Sequence, residues 1–342
     1  MGEELFGDWE DLSDEELLKV RIRDLRLKIE GTELEQNISQ LYSELNDRNI
    51  LFHPQCYLAD EWVCPDGEPV IGIPFFLAHA RLKELERKMM LEVEGGAKSS
   101  CMRLLRHETG HAINYAYKLY RRRRWRGLFG PFSLEYPDTY RPRPYSKRFV
   151  QHLEDWYAQY HPDEDFAETF AVWLTPNLDW RGKYRGWKAL EKLEYVDRLM
   201  KEITKKPPIK RSGQRLWAVS RLRLTLKAYY KRKKRFYAED YPDFYDADLK
   251  TIFSLEDTTL PKENAASRVL RKHRKAILDN VSRWTDENKY RIDRVMRDLI
   301  ERCDELGLQV KESESDAILK VTTYVTTLIM NYIHTGKLKS DR

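Results

Sequence analysis

Cysteine is scarce in this chain. The 342 residues hold four, Cys56, Cys64, Cys101 and Cys303, with no CxxC pair among them. That scarcity excludes a disulfide scaffold and a cysteine-ligated zinc site, and it fits a reducing compartment, so a cytoplasmic location is expected. Long apolar runs are also missing. No stretch approaches the ~20 apolar residues a membrane span needs, and no membrane partner is expected. The first residues, MGEELFGDWEDLSDEELL, are acidic and lack the basic-then-apolar layout of a signal peptide. Repeats at solenoid periods are absent. With 34% charged and 41% hydrophobic residues, the chain has a heavily solvated surface. Its length allows one sizeable core with an appendage, or two domains.

The net charge of +5 is mild, but it is unevenly placed. From Lys201 to Arg235 there are fourteen Lys or Arg and one acid, Glu202. The sign then reverses through Glu239, Asp240, Asp243, Asp246, Asp248, Glu256 and Asp257. Blocks like these are usually a solvated face or a tether.

Periodicity sets out the elements. Residues 14–19 read as a short acidic helix, 22–29 as a strand, and 32–45 as a helix with Leu34, Ile38, Leu41 and Leu45 at helical spacing. Residues 49–57 read as a second strand. Runs at 60–64 and 70–76 flank the turn Pro65-Asp66-Gly67 and predict a hairpin. Pro69 and Pro74 place Val70, Ile71, Gly72 and Ile73 at a sheet edge. Helices follow at 78–90, 102–120 and 148–173, with a Pro-, Tyr- and Arg-rich loop at 127–146. This order is α+β, with a catalytic unit ending near Lys206. Pro207-Pro208 and Ser212-Gly213 suggest a linker. Beyond it, 216–237, 263–306 and 315–337 read as helices.

The chemistry lies in His107-Glu108-Thr109-Gly110-His111, an HExxH motif on the predicted 102–120 helix. Residues at i and i+4 share a helix face, so both imidazoles can reach one metal ion. Glu108 sits one step round, placed to act as base toward a metal-activated water. In a chain with eight histidines the motif arises by chance on the order of a few per cent of the time, so a third ligand is the deciding question. A catalytic zinc takes three protein ligands and keeps the fourth position open. A three-histidine site of the metzincin kind would need Gly at 114 and His at 117, where the chain has Asn114 and Tyr117. The remaining common solution is a glutamate from a later helix. Glu164 and Glu168 share one face of such a helix, and Ala167 and Ala171 are small enough to let it approach the motif helix closely.

HETGHAINYAY at 107–117, FVQHLEDWYAQYHPDEDFAETFAVWLTP at 149–176, EWVCPDGEPVIGIPFFLAH at 61–79 and YRGWKALEKLEYVDRLM at 184–200 resemble a family of zinc-binding metallopeptidases of the gluzincin type. The resemblance covers roughly residues 20–205. The spacing within the second segment is also similar to that of the anthrax lethal factor catalytic domain. It implies an α+β, zincin-like domain over 1–206 with a small mixed sheet and active-site helices. A linker at 207–215 and an all-helical, partly basic domain at 216–342 would follow. It implies His107, His111 and Glu164 as ligands of one Zn2+, Glu168 as a carboxylate orienting a ligand histidine, and Glu108 as the base. Tyr157, seven residues before Glu164, would support the oxyanion, with Tyr160 its rival. It also implies that a peptide pairs along Val70, Ile71, Gly72 and Ile73.

The expected function is therefore zinc-dependent hydrolysis of peptide bonds in a peptide or protein substrate. The competing reading is a catalytically idle zinc protein whose basic helices bind nucleic acid or a partner, with Tyr229 and Tyr230 interleaved among the bases of 221–235. Arg121 to Arg124 and Arg126, just past the motif helix, read as complements to its dipole.

Overall fold

Side chains open several of the helices by closing their first turns. Ser13 forms a reciprocal capping box with Glu16, Thr32 accepts from the Leu34 N–H at 3.2 Å, and His161 Nδ1 accepts from the Asp163 N–H at 3.1 Å. The structure, a computed structural model, describes residues 9–136, 143, 146–153, 156–204, 206–237, 245–255, 264–311 and 313–335. In chain order the elements are α1 Asp14–Leu17, α2 Glu33–Asp47, β1 Gln55–Ala59, β2 Val70–Pro74, α3 Ala80–Met90, α4 Lys98–Tyr117, α5 Arg123–Phe129, α6 Pro162–Leu174, α7 Trp180–Lys183, α8 Ala189–Ile203 and α9 Leu226–Tyr237. They continue with α10 Asp246–Ile252, β3 Ser254–Leu255, α11 Ala266–Thr285, α12 Lys289–Glu305, β4 Leu308–Gln309 and α13 Glu314–Thr335. The fold is α+β only in the loose sense of many helices and little sheet. Among the described residues no helix is long and apolar enough to cross a membrane.

Two compact units divide the chain: Met1–Met89 with Val93–Tyr229, and Met90–Glu92 with Tyr230–Arg342. The division falls at Tyr229 and Tyr230, past the linker expected at 207–215. The Pro- and Gly-bearing stretch is not a free linker, because its backbone is bonded to the first unit. The Ile209 and Lys210 N–H groups donate to the Ala116 carbonyl, Ala218 bridges to Ala59, and Thr225 bridges to Arg21.

In the first unit β1 and β2 pair in parallel, from Gln55↔Val70 to Ala59↔Pro74. The predicted hairpin shrinks to a single antiparallel bridge, in which Val63 and Gly72 exchange both backbone bonds at 3.1 and 2.7 Å. The turn between is as expected: Gly67, at φ +69°, lets the Glu68 N–H reach the Pro65 carbonyl. The strand expected at 22–29 is instead a 3-10 turn over Ile22–Leu25, ended by Arg26 at φ +51°. Ile22 and Leu25 are both buried there, and their i, i+3 spacing serves the tight helix as well as alternation would have served a strand. The helix expected from 148 begins only at Pro162, which lacks an N–H and starts α6 behind its His161 cap.

α4 and α6 form the core of this unit. Every residue of α6 is buried. α2 is fixed to α4 by a two-pronged pair in which Arg106 donates to both Glu44 oxygens at 2.7 Å. α8 holds α6 through Lys192, whose ammonium lies 2.5 Å from Asp165.

The second unit is helical apart from a two-residue antiparallel pair, β3 with β4. α11, α12 and α13 bury Leu270, Ile277, Ile292, Met296, Val321 and Val325 among them. The single helix expected over 263–306 breaks at Asp286, φ +55°, and restarts behind Asn288, whose side chain caps Tyr290 at 2.8 Å. Several of its cations are paired internally: Arg274 and Arg297 with Asp293, Lys272 with Glu314, and Arg302 with Asp246. In the acidic run, residues 239–243 and 256–257 lie outside the described residues.

Candidate metal centre

α4 has no side-chain cap at its start, and from Leu104 to Tyr117 all its side chains are buried. Such a helix offers no solvated face, so the polar groups of the motif must find partners inside the protein. α6 supplies them. The crossing is close at Gly110, where an added Cβ would stand 2.6 Å from Ala167 Cα. The small residues at 110 and 167 bring the two backbones together, and the long side chains on either side meet across them.

His107 and His111 point their Nε2 atoms at each other, 3.1 Å apart. Glu164 Oε2 lies 3.1 Å from the first and 3.2 Å from the second. A tetrahedral ligand set with bonds of ~2.0–2.1 Å has neighbouring ligand atoms ~3.3 Å apart, so this buried triangle has the size of one face of such a set. His107, His111 and Glu164 are the group that could hold a metal ion among the described residues.

The far nitrogens are equally committed. His107 Nδ1 is 2.8 Å from Glu168 Oε1, and His111 Nδ1 is 2.8 Å from Asp163 Oδ2. Each carboxylate accepts the Nδ1 proton and leaves the Nε2 lone pair turned inward, the arrangement that orients metal-binding histidines. The carboxylates are themselves held. Glu168 Oε2 accepts from the Leu153 N–H at 2.9 Å, and Asp163 accepts from the Asn114 amide at 2.6 Å and the Tyr115 hydroxyl at 2.5 Å.

The electrostatics favour a cation. Glu108, Asp163, Glu164 and Glu168 are all buried around two imidazoles. Burial pulls His107 down, yet its hydrogen bonds to Glu164 and Glu168 outweigh that and push it up to about 9. Burial likewise opposes the rise of His111, which the charges of Asp163 and Glu164 carry well above its usual value. Glu164 and Glu168 resist their burial through the same imidazoles and stay below the usual carboxylate range. Glu108 is different: burial raises it, with the two histidines opposing. It stands beside the triangle and is not one of its corners.

The structure thus brings His107, Glu108, His111, Glu164 and Glu168 together. The ring of Tyr157 lies 5.6 Å from that of His107 and 5.8 Å from that of Tyr160. Val70, Ile71, Gly72 and Ile73 are wholly buried. Both backbone groups of Gly72 are engaged by Val63, so an extended peptide pairing with β2 at this residue would have to displace Val63. Three participants escaped the sequence reading. Asp163 adjoins Glu164, Tyr115 is four residues past His111, and Tyr136 donates to Glu164 Oε1 at 3.0 Å. Tyr115 carried a signal in its i, i+4 spacing from His111.

Other candidates have structural partners. His152 Nε2 donates to the Arg103 carbonyl at 3.0 Å, and burial lowers it to about 4. Arg122 pairs with Glu202 and Arg124 with Glu191. Tyr229 and Tyr230 are buried, which closes them to base stacking. Comparison with protein families, with curated proteins and with solved structures finds no match to this chain.

Proposed function

We propose that this chain is a zinc-dependent metallopeptidase of the gluzincin type, with a zincin-like first unit. His107, His111 and Glu164 hold one Zn2+, and Glu108 acts as general base in the hydrolysis of peptide bonds. The observation that carries this reading is the buried triangle of 3.1, 3.1 and 3.2 Å with the Glu108 carboxylate beside it. Three convergent ligands plus a neighbouring base suit a catalytic site, whereas a structural zinc is closed by four protein ligands. The donor set of two imidazoles and a carboxylate suits zinc. When bound, zinc would polarise a substrate carbonyl and lower the pKa of a coordinated water from about 15.7 to roughly 7.

The chain's own groups do the remainder. Glu108, raised by burial, accepts the water proton at its carboxylate and passes it to the leaving amine. Glu168 and Asp163 keep the two imidazoles turned toward the metal. Tyr157 is the phenol assigned to the developing oxyanion, toward which it can donate.

The test is metal analysis together with a peptide-library assay on the wild type and Glu108→Gln. The expected result is one zinc per chain in both proteins, with turnover falling by ~10²–10⁴-fold in the variant. A wild type without stoichiometric zinc would refute the site, and unchanged turnover in the variant would refute the role of Glu108.

A further inference from the structure

Glu164 has two oxygens, and only one faces the histidines. Oε2 forms the triangle, while Oε1 accepts from the Tyr136 hydroxyl at 3.0 Å. Tyr136 belongs to neither helix of the site. It follows α5, and its ring is stacked on His161 with centroids 3.9 Å apart and planes at 18°. His161 has both ring nitrogens engaged. Nδ1 accepts from the Asp163 N–H at 3.1 Å, so Nε2 is the nitrogen that donates to the Leu134 carbonyl at 2.9 Å. One imidazole therefore sets two things at once: the start of the helix bearing Asp163 and Glu164, and the position of the segment bearing Tyr136. The tyrosine is 41% exposed although the carboxylate it bonds is buried, so this residue lies at the edge of the site.

We propose that Tyr136 is a positioning residue that keeps Glu164 a one-oxygen ligand. A carboxylate beside a divalent cation can swing until both oxygens coordinate, which would fill the position needed by water or substrate. A phenol donating to Oε1 opposes that swing, because chelation would break a hydrogen bond to a charged acceptor. Tyr136 acts on the metal through Glu164, which separates its role from that of Tyr157. The inference rests on the metal-site reading above.

The experiment is Co2+ titration of the metal-free full chain, wild type and Tyr136→Phe, followed by visible absorption and with thermal unfolding of the metal-free proteins as the fold control. Phenylalanine keeps the ring on His161 and removes only the hydroxyl. The expected outcome is a wild type with the intense d–d bands of four-coordinate Co2+. The variant should show weaker bands, indicating a higher coordination number, and Co2+ affinity ~10-fold lower, as loss of a partner to a metal ligand typically causes. Unfolding midpoints of the metal-free proteins should coincide. A variant matching the wild type in both spectrum and affinity overturns the role of Tyr136 and leaves the metal site standing. A wild type that takes up no Co2+ overturns both.

Discussion

The Gly110→Ala substitution puts the two-helix construction of the site under direct strain. The new Cβ would stand 2.6 Å from Ala167 Cα, 3.0 Å from its carbonyl oxygen and 3.2 Å from its carbonyl carbon. Carbon atoms in contact sit ~3.5–4.0 Å apart, so about 1 Å must be found, and the obstacle is helix backbone that cannot rotate aside. In an exposed helix the change would add ~1 kcal/mol of stability through propensity. Here overpacking costs ~1–3 kcal/mol, so the metal-free protein should lie between unchanged and ~2 kcal/mol less stable. Metal affinity should suffer more. If α6 retreats by about 1 Å, the 2.8 Å contacts from His107 to Glu168 and from His111 to Asp163 stretch beyond hydrogen-bond reach, and Glu164 leaves the triangle. Each lost orienting partner is worth ~10–100-fold in affinity, so Zn2+ should bind at least ~10²-fold more weakly. Competition with a chromophoric chelator measures the affinity, and thermal unfolding of the metal-free protein measures the stability. A variant that gains ~1 kcal/mol and binds zinc like the wild type would refute the claim that the Gly110–Ala167 approach sets the carboxylates.

Two further outcomes are expected. Asp163→Asn keeps the shape but removes the charge that accepts from His111, and should weaken Zn2+ by ~10–100-fold in the same competition assay; equal affinity would show that His111 needs no anionic partner. For His152, burial holds the folded value at about 4 against a usual 6.5, so the unfolded chain takes up this proton first as the pH falls. Its contribution is present above pH 6.5 and is lost between 6.5 and about 4, at most ~3 kcal/mol. Denaturant unfolding of the metal-free protein should show that loss, and His152→Gln should flatten the slope within the same window; a slope unmoved by the substitution counts against it.

What was legible in the sequence followed from local spacing. HExxH is an i, i+4 pattern, as is Glu164 with Glu168, and both are complete within one helix whatever the rest of the chain does. The fold around them was less legible. Residues 207–215 contain Pro-Pro and Ser-Gly and therefore read as a linker, yet their hydrogen bonds to Ala116 and Glu68 bind them to the first unit; nothing local announces such long-range pairing. Ile22, Leu25, Leu27 and Ile29 fitted a strand, while the chain used only the first pair, at 3-10 spacing. Asp163 was hidden for another reason. Acids in the first turn of a helix are common because they complement its dipole, so nothing in the local pattern marks Asp163 and Asp165 as buried, which both are.

The roles of the α6 carboxylates follow once the direction of crossing is known. His107 meets Glu168 and His111 meets Asp163, so the earlier residue of α4 pairs with the later residue of α6 and the helices run antiparallel. Four residues of α4 span ~6 Å, and five of α6 span ~7.5 Å. The two orienting pairs are therefore matched in spacing, with the extra methylene of Glu168 taking up the difference. Glu164 lies between those pairs in height, which is why its Oε2 reaches both Nε2 atoms. Gly110 and Ala167 occupy the point of contact inside the same frame. A slip of one residue along α6 would move each carboxylate by ~1.5 Å and turn it by about 100°, breaking all three meetings together. The ligands and their orienting carboxylates thus depend on a single helix register, and the small residues at 110 and 167 belong to the site as much as the groups that touch the metal.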